Sequence, residues 1–168
     1  MSMTGLDAFD TTVHKTNRWL NELNELAGWD SKQKAYLATR ATLHALRDRI
    51  TVDEVAQLGA QLPMLMRGFY YEGWDPSGKP VKERHVEQFL ARIAREFRSD
   101  DVLETERMAR AVFALLKRRI ADGEIEDVKS VLPEDRAFRV RGRAALGLRC
   151  FSGRVSSAPA ADRLPARP

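Results

Sequence analysis

Laid beside itself at an offset of 70 residues, the chain matches without a gap. Trp19-Leu20 meets Phe89-Leu90, Leu23 meets Ile93, Asp30 meets Asp100, and Arg40-Ala41 meets Arg110-Ala111. Leu46 meets Leu116, Arg49-Ile50 meets Arg119-Ile120, Glu54 meets Glu124, Val55 meets Ile125, and Leu62-Pro63 meets Leu132-Pro133. The agreements fall on apolar positions and turn residues, which is the trace that two copies of one core pattern leave. Whatever element one copy forms, the other must form as well.

Each copy reads as helices. Trp19, Leu20, Leu23, Leu26 and Ala27 follow the i, i+3, i+4 spacing of an amphipathic helix, and Gly28 stops it. Ser31 is placed to cap a second helix carrying Ala35, Ala38, Leu43, Leu46 and Ile50. Thr51-Val-Asp-Glu54 is a capping box, in which hydroxyl and carboxylate each satisfy an open amide of the helix that follows. That helix is short, and Pro63 suits the first turn of another. In the second copy Val86, Phe89, Leu90, Ile93 and Phe97 form one stripe. Ser99, Asp100 or Asp101 caps a helix with Met108, Val112, Leu115 and Leu116. Asp122 caps a short helix, and Pro133 opens a last turn. No segment alternates polar and apolar as a strand does. The expected fold is all-α: an orthogonal bundle of about eight helices, as two pseudo-symmetric four-helix repeats. Repeat one covers residues 8–74 and repeat two 83–138, within one domain at 1–138, with Asp75-Pro-Ser-Gly-Lys-Pro80 as the link.

Charge is distributed unevenly. The chain carries +4 overall, yet residues 139–168 hold seven arginines, no lysine and one acid, Asp162, so the remainder is mildly acidic. That Arg/Ala/Pro-rich tail cannot bury enough apolar surface to offset its ordering entropy, and disorder is expected there. It reads either as an arginine-rich arm for an acidic partner or nucleic acid, or as a non-functional extension of a G+C-rich gene. A nucleic-acid footprint is otherwise not expected, because it needs a basic folded face. No apolar run reaches the length of a membrane span, the amino terminus has no signal-peptide pattern, and the single cysteine, Cys150, allows no internal disulfide. A cytoplasmic protein without membrane attachment is expected.

Gly28-Trp-Asp30, Ala38-Thr-Arg-Ala41, Leu43-His-Ala-Leu-Arg-Asp-Arg49, Ala60-Gln-Leu-Pro63 and Arg67-Gly-Phe-Tyr-Tyr-Glu-Gly-Trp74 together resemble the bacterial domain of unknown function 2267 family. Glu87-Gln-Phe-Leu90 and the second Leu132-Pro133 also fit, so the resemblance runs over residues 8–138. It implies a compact helical domain with two related halves, and brings neither an established activity nor catalytic residues. Such domains finish soon after the second Leu-Pro, whereas this chain continues into the arginine-rich tail.

The residues point to no reaction. His14, His44 and His85 lack metal-ligand spacing, and no nucleophile elbow or phosphate-cradling glycine loop occurs, so no metal or cofactor is expected. Arg49 and Arg119 are expected to tie their helix ends to Glu54 and Glu124. The candidate partner-binding residues are Arg67, Tyr70, Tyr71 and Trp74. Consecutive Phe69, Tyr70 and Tyr71 cannot all point to one buried face, and Tyr and Trp beside Arg are typical interface anchors. The same rings would also serve as a plug in the joint between the copies. The function expected is a non-enzymatic interaction module, docking a protein partner or itself. The alternatives are a small-molecule binder or enzyme using the groove between the repeats, and nucleic-acid association through the tail.

Overall fold

In the computed structural model, residues 3–81, 85–98 and 101–120 are described. They form six helices: α1 (Asp7–Ala27), α2 (Lys32–Arg47), α3 (Val52–Gln61), α4 (Met64–Tyr71), α5 (Val86–Phe97) and α6 (Val102–Arg119). There is no strand among the described residues. No described helix is long and apolar enough to cross a membrane. The short helices expected at Asp122 and Pro133, the domain limit at residue 138 and the tail at 139–168 lie outside the described residues.

Helix boundaries follow capping chemistry. Asp7 and Asp10 occupy the first turn of α1, where the macrodipole favours acids, and Asp10 also accepts from the Met3 and Thr4 amides. Gly28 ends α1 at φ 69°, and Trp29 donates back to the Asn24 carbonyl at 2.9 Å. Ser31 caps α2 by accepting from the Lys34 amide. Thr51 and Glu54 complete the reciprocal box at the start of α3. At the same positions of the second copy, Arg98 ends α5 at φ 59° and Asp101 caps α6 by accepting from the Leu103 amide. Of the three residues eligible to cap α6, Asp101 is the one used.

The core is organised around α2, which packs against α1, α4, α5 and α6. Its alanines at 35, 38, 41 and 45 are buried, and their small side chains let four neighbours approach. Leu43, Leu46 and Ile50 fill the remaining volume with Leu23 of α1, Phe89 and Ile93 of α5, and Met108, Val112 and Leu115 of α6. α1 packs on both α2 and α6, and α5 packs on both α2 and α6.

Arg98 is a side-chain-bearing residue in the left-handed region, where its counterpart Gly28 sits without strain. Arg98→Gly should therefore raise stability by about 0.5–1 kcal/mol, while Gly28→Ala should lower it by a similar amount. Denaturant midpoints of the two variants, read against the parent chain, check both signs.

Candidate functional site

The aromatic segment 69–74 leaves α4 where four elements converge. α4 contacts α1, α2 and α3, with Phe69 meeting Tyr36 of α2 and Tyr71 meeting Val55 of α3. More than one of its faces is therefore covered, and the premise that only one face can be buried fails here. Phe69 turns to α2 and meets Tyr36 edge-on, with ring centroids 5.3 Å apart. Tyr70 is fully buried, and its hydroxyl lies 3.4 Å from the Val55 carbonyl; burial pushes its phenol well above the ordinary tyrosine value. Tyr71 turns to α3, where its hydroxyl donates to the same Val55 carbonyl at 3.2 Å. Trp74 is half-buried against Tyr71, and its buried indole N–H has no acceptor among the described residues. Arg67 is exposed but engaged: its guanidinium donates to the Gly59, Ala60 and Leu62 carbonyls at the end of α3, where a cation complements the macrodipole. The four candidate residues thus come together as a joint between α3, α4 and the following loop.

The carboxyl end of α4 turns at Gly73, at φ 61°, where the Trp74 amide donates to the Tyr71 carbonyl at 3.0 Å. The neighbouring carbonyls are met by side chains of α2. His44 Nε2 lies 2.6 Å from the Phe69 carbonyl, and Arg47 donates to the Tyr70 and Glu72 carbonyls. Behind them is an ionic cluster that sequence patterns did not single out. His44 Nδ1 lies 2.7 Å from a Glu96 carboxylate oxygen of α5, and Arg40 bridges Glu96 and Glu72. Asp48 accepts from Lys79 at 2.9 Å and Arg92 at 3.2 Å, and its carbonyl accepts from the Val81 amide. The loop after α4 is thereby strapped across the end of α2. Spacing alone could not reveal this cluster, because its members come from residues 40 to 96.

A carboxylate–histidine pair can serve general-base chemistry. Here both ring nitrogens of His44 are already engaged by protein oxygens, Nε2 by the Phe69 carbonyl and Nδ1 by the Glu96 carboxylate. Burial raises the Glu96 carboxyl, but the hydrogen bond and charge of His44, with Arg40 and Arg47, outweigh it and hold the group below its ordinary value. Burial pushes the Arg47 guanidinium down, with Asp48 partly offsetting it. Among the described residues, no three His, Cys, Asp or Glu side chains are grouped so as to hold a metal ion.

The partner expected for Arg119, Glu124, lies outside the described residues; Arg119 reaches across to Glu22 of α1. Arg49 is buried with its guanidinium 5.3 Å from the Phe89 ring centroid, and Glu54 is engaged in the Thr51 capping box instead. Helix ends buried against other helices find tertiary partners before the next residues in sequence.

Two outcomes follow. The folded state favours ionised Glu96, so its contribution is complete above the ordinary carboxylate range and is lost as pH falls through the lower, folded value. Glu96→Gln should cost about 1.5–3 kcal/mol at neutral pH, and the difference from the parent chain should shrink in acid. Urea titrations from neutral pH down to pH 3 read that convergence. Gly59 gives the second outcome: an added Cβ would lie 2.3 Å from the Tyr71 hydroxyl. Alanine normally stabilises a helix by about 1 kcal/mol relative to glycine, but Gly59→Ala should destabilise. Combined with Tyr71→Ala the penalty should vanish, as a double-mutant cycle will report.

A comparison with curated proteins finds no match. The family described as "Uncharacterized conserved protein (DUF2267)" matches residues 16–138, a stretch that holds the joint, the ionic cluster and the whole of the hydrophobic core among the described residues. The chain therefore belongs to the domain of unknown function 2267 family.

Proposed function

We propose that the chain is a non-enzymatic interaction module that docks a protein partner or a second copy of itself through an apolar ridge on α1 and α4. The observation that carries this reading is the grouping of exposed apolar side chains there. Leu6 and Phe9 at the start of α1, and Met64 and Leu65 at the start of α4, are each close to half exposed. They are neighbours, because the Leu65 amide donates to Thr12 Oγ1, one turn beyond Phe9, at 2.9 Å. Apolar side chains grouped in this way mark a contact surface more often than isolated ones do.

On this reading the segment from Tyr70 to Trp74 positions the ridge rather than forming it. Arg67, Tyr70, Tyr71 and Trp74 hold α4 against α3, and α4 in turn presents Met64 and Leu65. The non-enzymatic part is supported by His44, whose two nitrogens are both engaged by protein oxygens. The same reading includes the single domain at 1–138 and the cytoplasmic setting expected from the sequence. It also includes a pseudo-two-fold relation between the copies, supported by the paired left-handed stops at 28 and 98 and the paired caps at 31 and 101.

The test is sedimentation velocity on the full chain and on Phe9→Asp/Met64→Asp, both outer-surface changes. Self-association of the parent chain that the double variant loses, with unchanged helical circular dichroism, is the expected result. An assembly that persists in the double variant would remove the ridge from the interface, and a parent chain monomeric at all concentrations would remove self-docking.

A further inference from the structure

A cleft of about 520 Å³ opens between α1, α2 and α4. Its lining residues fall between positions 13 and 72, so it belongs to the first copy rather than to a groove between the two. The volume lies within the range of sites that hold small organic ligands. One wall is apolar, made by Val13 and Leu20 of α1 and by Leu65 and Phe69 of α4. The other is polar, made by the first turns of α2 with Lys32, Gln33 and Tyr36.

Three features suit this cleft to a ligand with an apolar body and an anionic head. The first is charge. The first turn of α2 contains Lys32 and Lys34 and no acid, so two cations stand where the macrodipole is already positive. Lys34 is neutralised by Glu104 at 2.6 Å. Lys32 has no ion pair among the described residues, and Glu72, which also lines the cleft, is occupied by Arg40 at 2.9 Å. The second is an unmet polar group: Thr16 lines the cleft, is only 5% exposed, and its hydroxyl has no partner among the described residues. The third is space. Gly68 lies in the middle of α4 and lines the cleft, and a Cβ built on it meets nothing within 4 Å. A glycine inside a helix is unfavourable by propensity, and here no tight packing requires it. What its missing side chain leaves is room in the cleft.

We propose that this cleft binds a small amphipathic anion, an alkyl or aryl carboxylate, with its apolar body between α1 and α4 and its head at the amino end of α2 against Lys32. This goes beyond the docking ridge, with which it shares only Leu65. The probe is decanoate, titrated below its micellar range into the full chain by isothermal calorimetry, with decanol as the uncharged counterpart. Decanoate should bind the parent chain more tightly than decanol. Lys32→Glu should weaken decanoate about tenfold or more and leave decanol unchanged, a difference of about 1.4 kcal/mol or more. Gly68→Leu should weaken both probes by a similar factor while raising the thermal midpoint, because it fills the cleft and improves the helix. No decanoate binding by the parent chain, or full binding by Gly68→Leu, overturns the site. Equal affinity for decanoate and decanol overturns the anionic head. None of these readouts depends on Phe9 or Met64, so this proposal and the docking ridge stand or fall separately.

Discussion

The carboxyl end of α4 is completed by side chains from another helix, and much of the first half depends on that contact. A helix leaves its last carbonyls without intrahelical donors, and a buried end needs partners. At this end Gly73 turns the chain at φ 61° and the Trp74 amide reaches the Tyr71 carbonyl, which leaves the Phe69, Tyr70 and Glu72 carbonyls. His44 and Arg47 of α2 supply the donors, at the end where positive charge is also favoured by the macrodipole. The position of α4 is therefore set from the core outward. Once it is set, Phe69 meets Tyr36, Tyr70 and Tyr71 meet Val55, and the loop after Trp74 lies close enough for Lys79 and Val81 to reach Asp48.

Placing His44 and Arg47 inside has its own electrostatic requirement. A buried charge is tolerable only with a counter-charge and enough hydrogen bonds, and removing one member of such a set costs several kcal/mol. Glu96 answers His44, and Asp48 stands beside Arg47 at 3.6 Å. Because Glu96 belongs to α5, one of the two donors that cap α4 is answered from the second half of the chain. The end of a first-copy helix and the position of a second-copy helix are thus joined through one ionic cluster. The alanine-rich face of α2 serves the same end, since small residues at 35, 38, 41 and 45 let α5 and α6 approach closely.

Local features were legible in the sequence and tertiary ones only in part. Gly28, Ser31 and the Thr51–Glu54 box fix helix boundaries through contacts spanning a few residues, and each is observed as expected. The all-helical class followed from the spacing of apolar residues for the same reason. The aromatic segment was recognisable as unusual, but its role depends on how many sides of α4 are covered, which no local pattern encodes. His44 had no sequence signal, because its partners are 25 and 52 positions away. Gly68 carried a weak signal, a glycine within an apolar helical run. Its meaning becomes visible only when the space beside it is seen.

The 70-residue offset in the sequence also bears on the polar contacts between helices. Lys34 and Glu104 occupy the same position in the repeat, 70 residues apart, and face each other at 2.6 Å. Two identical copies meeting there would place lysine against lysine or glutamate against glutamate. A second exchange follows the same logic. Glu22 pairs with Arg118 across α1 and α6, and the corresponding positions in the other copy hold Arg92 and Asp48, paired with the charges reversed. Each pair is attractive, yet the two surfaces are no longer interchangeable. Positions equivalent at the 70-residue offset thus carry opposite charge, which two identical segments could not do.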